Sequence, residues 1–396
     1  MAPLVIYVTG FRQHAGKTVT SLGLLHLLSR RFAPEELGYI KPVGQQLMSL
    51  EDGTKVDKDA LIIERFSGIP DLDMKTVSPV RLASGFTKQY ISCKDRATET
   101  ERLKGNILKA LDSFSHKKIV IAEGTGHPGV GGIVGLSNAN VGKLMHAQTL
   151  FLSGGGIGKA LDMLEVDLSY FIFKGCRVRG LIFNKVFPKK IDTVKEYITE
   201  ELINERYGAY GEPIRIFGFL PEISKLNHPS MRIIASAFPD ARSIGTVTDR
   251  EWMVPCNGIK VVSLTAEYLN PEKHIAPGDV VLLGSASKSR RIKLLSYQRA
   301  LKKSSERAIG GIVLTCGETT PLDPEIEDQI AESGIPALYV QEDTAAAEEK
   351  IIEVFENTKI QVYDKLKHEK IKELFENHFD LDLFLDALDI TGGRRR

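Results

Sequence analysis

Cysteine is scarce in this chain: the 396 residues hold four, Cys93, Cys176, Cys256 and Cys316, far apart and without the paired spacing of a zinc site or a disulfide framework. Each reads as a buried free thiol, and a reducing cytoplasm is the expected compartment. Excess charge is missing too. Lys and Arg number 52 against 51 Asp and Glu, a formal net charge of +1, which gives no broad attraction to nucleic acid or an anionic membrane. The basic cluster Arg394-Arg395-Arg396 reads as a solvated end. No apolar stretch approaches the roughly 20 residues that span a bilayer. The first apolar run has no charged region before it and passes directly into a glycine loop, so it reads as a strand rather than a signal peptide. The remaining composition, 26% charged and 42% hydrophobic, is that of a globular protein, and the length predicts two domains.

The chemistry concentrates near the start. Leu4-Val5-Ile6-Tyr7-Val8 is β-rich and apolar enough for a buried parallel strand. From Val19 onward, apolar residues at helical spacing predict about three helical turns. Between them lies Gly10-Phe11-Arg12-Gln13-His14-Ala15-Gly16-Lys17-Thr18. Glycines at Gly10 and Gly16 let backbone N–H groups approach an anion, and the helix N-terminus adds its dipole. Lys17 can reach terminal phosphates and Thr18 can ligate Mg²⁺. We therefore place residues 10 and 13–19, including Gln13, His14, Ala15 and Val19, around the phosphates of ATP.

Five residues separate Gly10 from Gly16, where the usual phosphate loop has four. With that spacing the segment resembles dethiobiotin synthetases and their relatives, the amidating cobyrinate synthases and the N-terminal domain of long phosphate acetyltransferases. Later motifs keep the family's order. Lys41-Pro42-Val43 ends a predicted strand at Leu37–Val43, and the resemblance places Lys41 near phosphate and substrate. Asp59-Ala60-Leu61 opens a predicted helix, where the bland reading of Asp59 is a cap and the resemblance puts it on Mg²⁺. Ser78-Pro79 matches a family segment whose chemistry is not readable here. Glu123-Gly124-Thr125-Gly126 follows a buried strand at Lys118–Glu123, with Glu123 at the metal or polarising water. The glycine-rich stretch from His127 to Gly135 reads as a binding or lid loop, His127 more as a polar contact than as an acid–base group. A third strand, Thr149–Ser153, runs into Gly154-Gly155-Gly156, read as part of the same crevice. A fourth, Arg179–Val186, carries Asn184, which the resemblance assigns to adenine. Ile214–Pro221 is the last strand of this unit.

The expected fold is α/β: a phosphate-loop parallel sheet with helices on both faces over residues 1–237, then a smaller α/β domain over 245–355 and a helical tail over 356–396. The second domain begins at Thr246-Val247-Thr248, with strands at Ile259–Ser263, Val280–Leu283, Gly311–Thr315 and Ala337–Val340. It resembles the DRTGG domain of long phosphate acetyltransferases. It departs from that domain at Gly284-Ser285-Ala286-Ser287-Lys288, where a Gly-Asp-Arg turn is usual. The acetyltransferase catalytic domain of those enzymes is not expected among these residues. The amphipathic tail from Tyr363 to Leu388 is expected on the second domain or on a partner subunit.

The catalytic candidates are thus Lys17, Lys41 and Glu123, and the metal candidates Thr18, Asp59 and Glu123. The acceptor side departs from the family. The positions of the family's loop Thr-Glu pair and its later Ser carry Gln13, His14 and Gln45, which argues against a diamine substrate because an ammonium would lose its counter-charge. Three readings follow: an ATP-dependent ligase-type enzyme acting on a small carboxylate or carbamate, a nucleotide-responsive regulatory protein, or a relic that keeps the fold without binding nucleotide, against which the intact Lys17-Thr18 argues. The resemblance also implies a homodimer, with a small-molecule acceptor or effector as partner and neither nucleic acid nor membrane.

Overall fold

In the computed structural model, the residues described are 2–208, 212–244, 250–301, 309–319, 322, 324–358 and 360–390. They divide into two compact units, one running to Glu222 and resuming at His368, the other Ile223–Lys367.

The first unit is built on six strands, β1 Leu4–Gly10, β2 Leu37–Ile40, β3 Ile119–Glu123, β4 Gln148–Ser153, β5 Arg177–Val186 and β6 Arg215–Pro221, in the order β6-β5-β4-β1-β3-β2. Every pairing is parallel. β1 is central because it is buried on both faces, Ile6 and Val8 on one and Val5 and Tyr7 on the other. The chain leaves β1 towards β2 on one side and later returns to its other side with β4. The carboxyl ends of β1, β3 and β4 therefore flank the crevice where such sheets bind ligands.

Helix α1, Lys17–Leu28, is buried at Thr20, Ser21, Leu22, Leu24, Leu25, Leu27 and Leu28, so it is covered on more than one side. Part of that cover corrects the expectation for the tail. Its helices Lys365–His378 and Leu381–Ala387 lie on the first unit: Phe375 packs over Gly23, His26 meets Glu376 at 2.9 Å and Arg31 meets Asp382 at 2.8 Å. The tail also covers the β6 edge, where Asp380 N donates to Phe217 O at 2.8 Å and Phe379 forms an antiparallel bridge with Gly218.

The second unit holds a five-stranded sheet. Ile259–Val261, Asp279–Gly284, Ile309–Thr315 and Ala337–Tyr339 are parallel, and Arg242–Ile244 adds an antiparallel edge that the sequence reading did not place. Residues alternate between faces. Val281, Leu283, Ile312 and Leu314 pack with Leu294, Leu295, Ile326 and Ile330. Val280, Leu282, Val313 and Leu338 pack with Met231, Ile234, Trp252, Ala347 and Ile351. Helix Met231–Ala235, which the sequence reading placed in the first domain, therefore contributes to this core. The expected start at Thr246-Val247-Thr248 lies outside the described residues, as does Arg394-Arg395-Arg396. At the departure from the Gly-Asp-Arg turn, Ser285 N donates to Thr315 O, and helix Lys288–Leu301 begins at once. Among the described residues no helix is long and apolar enough to cross a membrane.

Candidate functional site

The loop after β1 is shaped by close packing at both ends. A Cβ on Gly10 would lie 3.0 Å from Ala15 Cβ and 3.1 Å from Leu152 O. His14 has φ of 63° and Gly16 of 98°, so the chain passes through the left-handed region twice before α1 begins. Gly16 is the N-cap and offers no side-chain acceptor, which leaves the first amides of α1 for an anion. Gln13 and His14 are exposed on the loop's outer turn, while Val19 sits in the first turn of α1.

Lys17, expected to reach terminal phosphates, also holds the protein together. It is 7% exposed, and its Nζ donates to Gly126 O at 2.7 Å and to Arg12 O at 3.1 Å, tying the phosphate loop to the loop after β3. Burial, and next the charge of Lys41, pull its pKa down to about 8.

Glu123 ends β3 beside Val8 of β1. Its Oε1 accepts from Thr18 Oγ1 at 2.9 Å and Lys41 Nζ at 2.8 Å, and its Oε2 accepts from Tyr39 OH at 3.0 Å. Lys41 Nζ also donates to Asp59 Oδ2 at 2.7 Å and Gly124 O at 3.1 Å. Lys41 is 2% exposed and Glu123 fully buried, so this ion pair sits where desolvation is costly and only paired charges persist. Burial alone would lower the Lys41 pKa, but Asp59 and Glu123 hold it well above the ordinary lysine range. Burial would likewise raise Asp59, and Lys41 instead holds it at about 2. Glu123 is pushed up, by burial above all.

Asp59 is free for this role because another residue does the capping. Helix α2 is Lys58–Phe66, and its N-cap is Asp57, which accepts from Asp59 N at 3.0 Å and from the amides of Gln45 and Gln46. Sequence reading missed Asp57, although two aspartates one residue apart before an apolar run offer two candidate caps. It also missed Tyr39, for which a signal existed: residues two apart on an extended segment share a face, so a Lys41 aimed at the crevice brings Tyr39 with it. Ser78, unreadable in sequence, accepts from Asp57 N at 3.3 Å. Asn138 fixes the loop after Glu123, bonding Thr125 N, Thr125 O, His127 O and Tyr7 OH. His127 itself accepts from Gly129 N, a local contact within its loop.

On the β4–β5 side lies a cavity of about 570 Å³ lined by Phe11, Ala15, Ile157, Met163, Phe187 and Asn184 among others. Gly154-Gly155-Gly156 lines it too, which places this run in the same crevice. Asn184 is 6% exposed, and its Nδ2 donates to Ala15 O at 2.8 Å. The structure thus brings every predicted loop residue together with Lys41, Asp59, Glu123 and Asn184 at one end of one sheet.

Among the described residues, no group of three or more His, Cys, Asp and Glu side chains could hold a metal ion. The hydroxyl of Thr18 and the carboxylates of Glu123 and Asp59 are nevertheless hard oxygen donors of the kind Mg²⁺ takes, one or two carboxylates with phosphate oxygens completing its shell. The donor set fits.

Similarities to solved structures are distant. The chain aligns with the CBS and DRTGG domains of the regulatory region of Clostridium perfringens pyrophosphatase, solved with diadenosine tetraphosphate, at 16% identity and TM-score 0.25, covering 33% of this chain and 49% of that one. It aligns with the signal recognition particle receptor FtsY of Elizabethkingia anophelis at 16% identity and TM-score 0.32, covering 56% and 58%. With the MinD cell division protein of Aquifex aeolicus the values are 15%, 0.32, 56% and 84%. The chain thus spans about half the length of the pyrophosphatase regulatory region it matches. The family assignment rests on sequence: residues 5–230, more than half of the chain, match the family AAA_26, described as an AAA domain. The chain belongs to the AAA_26 family of P-loop ATPase domains, a fold that implies nucleotide binding.

Proposed function

We propose that the first unit binds MgATP and transfers the γ-phosphoryl group to a small carboxylate or carbamate. The acceptor oxygen forms the new P–O bond as the bond to the β-phosphate bridging oxygen breaks, giving ADP and a mixed phosphate anhydride. The observation that carries this reading is Lys41, buried between Asp59 and Glu123 with Thr18 bonded to the same Glu123 oxygen. A sensor needs phosphate-loop contacts only. A phosphoryl-transfer site also needs positive charge that can meet developing negative charge across the crevice; Lys41, whose three protons go to Asp59, Glu123 and Gly124 O, would supply it once Mg²⁺ draws the carboxylates away from it. Mg²⁺, held by Thr18 and the carboxylates, would neutralise charge on the phosphates.

A second reading is regulatory, and the acceptor side favours it. Gln13, His14 and Gln45 are exposed where the resembled synthetases place substrate-binding groups, and the second unit resembles a DRTGG domain in sequence. We also propose a cytoplasmic homodimer whose small-molecule partner is the acceptor or effector; light scattering that gives a monomer at micromolar concentration would remove the dimer. Phosphate release with a panel of carboxylates, amines and acyl phosphates decides between enzyme and sensor. An acceptor-stimulated rate above that of Lys17→Ala supports the enzyme, and no such rate across the panel supports the sensor.

A further inference from the structure

The two oxygens of Glu123 have different surroundings. Oε1 is turned to the phosphate loop and Lys41, accepting from Thr18 Oγ1 at 2.9 Å and Lys41 Nζ at 2.8 Å. Oε2 is turned to Tyr39, whose OH donates to it at 3.0 Å. Tyr39 is fully buried, lies in β2 opposite Ile121 of β3, and sits two residues back from Lys41 along the chain. Ser21, a third hydroxyl beside the carboxylate, gives its hydrogen to Lys17 O at 3.1 Å. A hydroxyl in so buried a place is costly unless bonded, and phenylalanine would fill the same space without that cost.

In the MgATP reading, Thr18 Oγ1 and Glu123 Oε1 both pass to the metal, so Oε1 exchanges its hydroxyl and ammonium partners for a cation. Oε2 keeps Tyr39. A carboxylate held in this way offers a cation one oxygen, whereas one left free can turn and offer both. That difference separates cations. Mg²⁺ is small and demands near-ideal octahedral geometry, while Ca²⁺ is larger, takes more oxygens and accepts a carboxylate by one of them or by both.

We infer that Tyr39 is a positioning residue that keeps Glu123 a one-oxygen ligand and so sets the crevice for Mg²⁺ over Ca²⁺. This rests on the MgATP reading above. Calorimetric titration of ATP into the full chain, in excess Mg²⁺, in excess Ca²⁺ and in EDTA, separates metal from nucleotide for wild type and Tyr39→Phe. The substitution removes one oxygen and leaves the ring, and melting temperatures are taken alongside. The quantity read is the gain in ATP affinity that each metal gives over EDTA. In the wild type the gain from Mg²⁺ is expected to exceed that from Ca²⁺. In Tyr39→Phe the gain from Mg²⁺ is expected to fall about tenfold, the loss that follows when a ligating group is left without its hydrogen-bond partner. The gain from Ca²⁺ is expected to change by less than about threefold, and affinity in EDTA to stay as in the wild type. Equal losses with Mg²⁺ and Ca²⁺, or gains unchanged from the wild type, overturn the inference alone. So does a loss of the same size in EDTA, which would make Tyr39 a packing residue only. If Tyr39→Phe does not fold, the wild type still decides: a gain from Ca²⁺ as large as that from Mg²⁺ overturns the inference. A wild type that binds ATP with no gain from Mg²⁺ overturns the metal reading and this inference with it, and one that binds no ATP overturns the nucleotide reading too.

Discussion

Replacing Lys41 by Ala removes the one cation between Asp59 and Glu123, 2.7 and 2.8 Å from its ammonium. The nearby ammonium of Lys17 does not take its place, because it is engaged with Gly126 O and Arg12 O. Breaking a buried pair from one side costs about 3–5 kcal/mol, since the remaining charge stays desolvated. Glu123 already has a raised pKa and can escape part of that cost by protonating, so a loss of about 3 kcal/mol at neutral pH is expected. The pH dependence has a definite sign. In the wild type, Asp59 titrates at about 2 in the folded state, below its unfolded value, so its contribution is present above the unfolded pKa and is lost as pH falls towards 2. In Lys41→Ala the buried Glu123, already raised by burial, loses the cation that lowers it, so stability falls as pH rises through its folded pKa. The gap between the two proteins should therefore widen from acid to neutral pH. Urea unfolding followed by circular dichroism at several pH values measures it. The added substitution Glu123→Gln should recover part of the loss by removing the stranded charge. A loss below about 1 kcal/mol, or one independent of pH, would refute the buried pair.

Three further outcomes are expected. At pH 8.5 the Lys17 ammonium, with its pKa near 8, is largely neutral, and a bound phosphate raises that pKa. Nucleotide binding should then take up a proton, seen as a dependence of calorimetric heat on buffer, and Lys17→Arg should abolish the uptake. Asp167 is buried, its Oδ2 has no hydrogen-bond partner, and burial raises its pKa to about 7. Stability should fall as pH rises from about 4 to 7, and Asp167→Asn should flatten that fall in urea titrations. Gly23→Ala would place a Cβ 2.2 Å from the Phe375 ring. It should cost about 1–3 kcal/mol by overpacking the contact between α1 and the tail, read as a lowered melting temperature.

Much of this was legible in the sequence where local chemistry decides position. Gly10, Gly16, Lys17 and Thr18 are confined by their spacing to a strand–loop–helix, and Lys41 and Glu123 follow apolar runs whose ends fall at the same edge of a parallel sheet. The tail was misplaced because an amphipathic face states that it must be covered, and the sequence does not say by what; Gly23, which admits Phe375, sits on a helix that already reads as buried. Asp57 was passed over because Asp57 and Asp59 both suit a helix cap, and the sequence does not say which of them turns to Lys41. The engagement of Lys17 and Asn184 with backbone carbonyls was invisible for a further reason. Arg12 O, Ala15 O and Gly126 O belong to every residue type equally, and only the fold brings them within reach.

Titration of MgATP into wild type and Lys17→Ala by calorimetry tests the central claim most directly. Saturable binding to the wild type, lost in a variant that keeps its circular dichroism spectrum, is the predicted result. Equal affinity in the two proteins would contradict it.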